Sequence, residues 1–104
     1  MKRINPLCFA VILAAAATLE VQANEKLATD SGCLACHKVD SKVVGPSFKE
    51  VAAKYKGDAG AEAALIEKVK KGGSGAWGSI QMPPNSPGVS DADIETLVKW
   101  ILGL

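Results

Sequence analysis

Cys33-Leu34-Ala35-Cys36-His37 sets two cysteines three positions apart, with a histidine directly after the second. This is the CxxCH pattern of covalent haem attachment. Two sulfurs at this spacing can each bond a vinyl group of one porphyrin, and the adjoining imidazole then reaches the iron from the same side. Other uses of a CxxC pair fit the chain poorly. A thioredoxin-like redox pair belongs in a βαβ setting, and no strand alternation is apparent in this sequence. A zinc site calls for four N or S ligands, yet no Cys follows Cys36 and His37 is the only His.

Upstream of the motif, Lys2 and Arg3 precede an apolar run from Leu7 to Leu19, and Val21-Gln22-Ala23 has the form of a small-residue cleavage site. A run of thirteen residues is too short to span a bilayer comfortably. Residues 1–23 are therefore expected to be a cleaved signal peptide and residues 24–104 the mature domain, exported to the periplasm, where haem is attached. Cys8 lies ahead of most of the apolar run rather than behind a cleavage site, and is read as one more apolar residue of the leader. The mature chain then keeps two cysteines, both belonging to the motif.

Residues 24–104 hold ten lysines and ten acidic side chains, so the small positive charge of the whole sequence comes from the leader. A near-neutral domain lacks the basic stripe that a nucleic acid requires. Eighty-one residues make one small domain, a size that usually needs a staple. A covalently held macrocycle provides one. The haem is expected to form much of the core, and the haem-free chain to be largely unfolded.

The apolar periodicity is helical, giving an all-α reading with four short segments. The first runs from about Glu25 to Ala35, with Leu27, Leu34 and Ala35 on one face. A second, from about Ser47 to Tyr55, opens with a Ser47/Glu50 capping box and stops before Gly57. The third, about Ala61 to Lys71, carries Leu65, Ile66 and Val69 and ends at Gly72-Gly73. Ser90 and Asp93 open the last, where Ile94, Leu97, Val98, Ile101 and Leu102 recur at helical spacing. The two terminal helices are expected to cross, with Gly32 as the point of close approach.

Gly72 to Gly88 reads as a seventeen-residue loop, long enough in so small a domain to expect a function. It contains Met82, the only methionine after Met1, between Gln81 and Pro83-Pro84. Methionine often just fills a gap. A thioether is also a soft ligand that accompanies His in electron-transfer haems. The Pro-stiffened loop, away from any helix face, favours the ligand reading.

Taken in order, Gly32 to His37, Val44-Gly45-Pro46-Ser47-Phe48, Gly75-Ala76-Trp77-Gly78 and Met82-Pro83-Pro84-Asn85 resemble the short bacterial class I cytochromes c over essentially the whole mature chain. The resemblance implies the cytochrome c fold, about four short helices wrapped around one haem c per chain. Cys33 and Cys36 would form its thioethers, and His37 and Met82 would be the axial ligands of its iron. It also implies that the Pro46 carbonyl accepts from the far ring nitrogen of His37, that Trp77 donates its indole N–H to a haem propionate, and that Asn85 donates toward the Met82 sulfur.

An iron with both axial positions filled has no place to transform a substrate, so the expected role is a one-electron carrier and not an enzyme. The resemblance implies redox protein partners, with a donor such as a membrane cytochrome complex and an acceptor such as a nitrite reductase or terminal oxidase. It further implies a monomer that is not itself a membrane protein. Lys38, Lys42, Lys70 and Lys71 are candidates for a docking ring around the haem edge. Peroxide or gas chemistry would need Met82 to detach, and a redox sensor would need an effector region that this short domain lacks.

Overall fold

Serine caps and glycine breaks divide the chain much as its sequence suggests. The structure, a computed structural model, describes residues 22–104. The expected leader lies outside the described residues except for its last two positions. Residues 22–30 are helical (α1), and a single 3-10 turn, Cys33–Ala35, follows. The other elements are α2 (Phe48–Lys54), α3 (Ala61–Lys71), the strands β1 (Gly73–Gly75) and β2 (Gly78–Met82), and α4 (Asp91–Leu102).

The helix starts have local causes. The Ser47 hydroxyl accepts from the Glu50 N–H at 3.1 Å while the Ser47 N–H donates to the Glu50 carboxylate at 3.4 Å, a complete capping box. Ser90 caps α4 by accepting from the Asp93 N–H at 3.2 Å. α3 ends where Gly72 turns to a φ of 72°, a conformation that costs glycine little.

Two expectations are corrected. The first segment is not one helix to Ala35. Gly32 takes a φ of 83°, which ends α1 and redirects the chain into the 3-10 turn. A side chain at Gly32 would meet nothing within 4 Å, so the residue serves backbone conformation and not close packing. The terminal helices instead meet at Ala28, which is fully buried in one cluster with Phe48 and Leu97. The second correction concerns the long loop, which contains an antiparallel ribbon pairing Gly73 with Met82 and Gly75 with Gly78, irregular in register between them.

α4 is the central element. It packs on both α2 and α3, and Ile94, Leu97 and Val98 are almost wholly buried. Each such side chain contributes about 1.5–3 kcal/mol by leaving water. Exposed ion pairs add little by comparison. Lys99 reaches Glu95 at 2.8 Å and Glu62 at 3.8 Å, and its hydrogen bond and charge hold the Glu95 carboxyl below its ordinary value.

Replacing Gly32 by Ala is expected to lower stability by about 1–2 kcal/mol through the backbone alone, and replacing it by Asn by less. Denaturant unfolding of the haem-loaded protein measures both. Equal losses for Ala and Asn would mean that packing, not conformation, is at stake.

Candidate functional site

A cavity of about 390 Å³ opens between the two halves of the chain, with mostly apolar walls. Cys33, Cys36, His37 and Pro46 line it from the first half, and Trp77 and Met82 from the second. α3 adds Leu65 and Val69, and α4 adds Leu97, Val98 and Ile101. The sequence placed these five side chains on helix faces, and the fold turns them toward a common space.

The 3-10 turn arranges the motif. The N–H groups of Cys36 and His37 both donate to the Cys33 carbonyl, at 3.2 and 3.0 Å. Cys33 and His37 thus stand one tight turn apart. The following loop closes back on the motif, since the Gly45 N–H donates to the Cys36 carbonyl at 2.8 Å and the Phe48 N–H to that of Lys38 at 2.9 Å. Cys33 and Cys36 are half-buried and both line the cavity. Burial pushes the Cys33 thiol up, and its backbone hydrogen bond partly opposes this.

His37 is the best-defined group of the site. Its Nδ1 lies 2.7 Å from the Pro46 carbonyl oxygen. A carbonyl only accepts, so Nδ1 carries the proton and Nε2 presents a lone pair. The ring leaves no room beside it, because a Cβ on Gly45 would stand 2.5 Å from its Cε1. Phe48 stacks on the imidazole with centroids 5.3 Å apart and planes at 26°, and Trp100 meets Phe48 edge-on at 5.7 Å. The indole nitrogen of Trp100 is buried with no hydrogen-bond partner among the described residues.

The stack and the close fit of Gly45 were not read from the sequence. In the sequence Gly45 and Phe48 appear only as members of the Val44 to Phe48 motif, whereas the Pro46 carbonyl is already implied as the acceptor for His37. Their chemistry depends on the loop folding back over His37.

Met82 ends β2, half-buried. Its carbonyl presses on Gly72 at a spot that a Cβ would overlap. The segment after it is tied to the end of α3. The Asn85 and Ser86 N–H groups donate to the Val69 and Lys70 carbonyls at 3.0 and 3.3 Å. The Asn85 side chain donates to the same Val69 carbonyl at 3.2 Å and to that of Pro83 at 3.5 Å. Asn85 therefore sits behind the Met82 segment and outside the cavity lining. Of the lysines, Lys42 and Lys68 line the cavity. Lys70 reaches Glu67 and Asp91 at 3.9 and 3.6 Å, and Lys71 reaches Glu67 at 3.0 Å.

These residues fit a covalently held haem. Two thiols, one imidazole with a free lone pair and one thioether face a single apolar-walled space. Among the described residues no three His, Cys, Asp or Glu gather to hold a bare metal ion. One nitrogen and one sulfur donor suit an iron whose other positions a macrocycle fills.

Site and fold together define a small c-type haem protein. Residues 21–104 match the sequence family described as Cytochrome c, and the chain belongs to that family. It is 54% identical over 78 residues to cytochrome c-551 of Pseudomonas aeruginosa, covering 75% of this chain and 73% of that protein. Cytochrome c-552 of Hydrogenobacter thermophilus is 50% identical over 82 residues, covering 79% of this chain and 82% of that protein. The crystal structure of wild-type Nitrosomonas europaea cytochrome c552 superposes with a TM-score of 0.73 at 51% identity, covering 77% of this chain and 98% of that one. The chain thus carries one covalent haem c with its iron, and is an electron carrier and not an enzyme. Among the described residues no helix is long and apolar enough to cross a membrane.

Substituting Gly45 by Ala is expected to push the imidazole away from Pro46 and to cost about 1–3 kcal/mol, as overpacking does. Unfolding midpoints and the His37 ring resonances of the reduced protein report the two effects together.

Proposed function

We propose that the chain is a periplasmic one-electron carrier with His37 and Met82 as the axial ligands of its haem iron, residues 1–23 being the leader that exports it. The observation that carries this reading is the hydrogen bond from His37 Nδ1 to the Pro46 carbonyl, which leaves Nε2 free to bind iron in a ring that lines the same cavity as Met82. When bound, the haem supplies a reversible one-electron change of iron between Fe(III) and Fe(II).

The protein's own groups have distinct tasks. Cys33 and Cys36 anchor the macrocycle through thioethers. The Pro46 carbonyl keeps the proton on Nδ1 and makes Nε2 a stronger donor. Met82 offers a soft sulfur, which raises the reduction potential. Trp77, in the cavity wall, would donate its indole N–H to a propionate of the bound haem. Asn85 steadies the Met82 segment, and its longer bond, at 3.5 Å to Pro83, is the one that a hydrogen bond to the sulfur would replace.

Exchange with partners is assigned to the rim of the cavity. Val43, Val44 and Ile80 are 50%, 46% and 67% exposed, and Val44 and Ile80 line the cavity beside Lys42. A small apolar rim with a nearby cation suits brief docking to redox proteins, such as a membrane cytochrome complex as donor and a nitrite reductase or terminal oxidase as acceptor. Steering by Lys42 and Lys38 would make the on-rate fall with salt. Lys70 and Lys71, already paired with acidic side chains, have less charge to offer.

A Met82→Ala variant is expected to keep its haem, fall in reduction potential and gain carbon monoxide binding, whereas the native protein, reduced at neutral pH, binds none. Optical spectra with and without carbon monoxide, together with a redox titration, test this. An unchanged potential would remove Met82 from the ligand set.

A further inference from the structure

Trp77 occupies the bend between β1 and β2, close to Gly75 and Gly78, whose φ angles are 118° and 113°. Glycines in such conformations leave a bend loosely determined. Trp77 as a whole is also 44% exposed, so burial alone does not fix it. Nevertheless it forms part of the cavity wall, and a donor in that wall is effective only if its ring is held.

Lys54 supplies the hold. It comes from the last turn of α2, in the other half of the chain, and its Nζ lies 5.0 Å from the Trp77 ring centroid and 6.0 Å from that of Tyr55. Lys26, Lys49, Lys70, Lys71 and Lys99 all pair with carboxylates. Lys54 has no such pair among the described residues, and its ammonium is directed to the aromatic rings.

We propose that Lys54 is a positioning residue for Trp77, its ammonium resting over the indole, holding the ring in the cavity wall and strengthening its N–H as a donor to a carboxylate of the bound haem. The second half of this statement rests on the reading of Trp77 as a haem donor given above. A cation over an aromatic face is attracted to the ring's electron density, and withdrawal of that density makes the indole N–H more acidic. The same charge beside the site favours Fe(II) over Fe(III). The proposal requires the route through Trp77 to exceed this direct charge effect, and a double-mutant cycle separates the two.

The test uses haem-loaded K54Q, K54R, W77F and K54Q/W77F. Lys54 is exposed, so its variants are expected to fold. In the reduced proteins, K54Q should speed hydrogen exchange of the Trp77 indole N–H about two- to fivefold, the size of an exposed cation–π contact. It should also lower the midpoint potential. K54R should restore both, and the K54Q shift should shrink when Trp77 is already Phe. Unchanged indole exchange in K54Q overturns the proposal. So does a potential shift equally large with and without Trp77. If W77F leaves the potential unchanged while K54Q still speeds exchange, the clamp stands and the donor role of Trp77 falls.

Discussion

The imidazole of His37 is constrained on several sides at once. The Pro46 carbonyl fixes its proton, the bare Cα of Gly45 lets the backbone approach its edge, and Phe48 covers its face. Each constraint comes from one short segment, Gly45 to the first residue of α2, which closes on the CxxCH turn through backbone hydrogen bonds. The capping box that begins α2 overlaps this segment, so the start of a helix and the orientation of the His37 imidazole share one piece of structure. Phe48 then extends the constraint to Trp100 on α4. The posture of a single ring is thereby linked to the packing of the terminal helices.

The second half of the chain is held by different means. Its hairpin is short, glycine-rich and largely exposed, and it buries little. Its position derives from α3, whose last-turn carbonyls receive the Asn85 and Ser86 N–H groups. Those carbonyls have no partners inside their own helix, so one set of hydrogen bonds both finishes α3 and seats the Met82 segment. The cavity forms where this segment faces the CxxCH turn, and its apolar walls are the inner faces of α3 and α4. In so small a domain the core and the site are nearly the same object.

Features set by neighbours in sequence were legible in the sequence. The CxxCH spacing, the Ser47/Glu50 box, the limits of α3 and the apolar stripe of α4 all depend on residues a turn or two apart, and the structure carries each of them. Gly32 was misread because a glycine required for left-handed backbone and one required for close packing look alike on paper. The hairpin was missed because β1 is Gly-Ser-Gly, with no side chains to alternate. The Phe48–His37 stack depends on the loop folding back, and the Lys54–Trp77 contact joins the two halves of the chain. No periodicity encodes them.

Trp77, Ile80 and Met82 all belong to one hairpin of ten residues, Gly73 to Met82, whose two ends lie side by side. Part of the cavity wall, part of its rim and the thioether are thus carried by a single cassette, separate from the turn that carries the cysteines and His37. A substitution in the cassette can therefore alter the cavity wall or its rim while leaving the turn that carries the cysteines and His37 untouched.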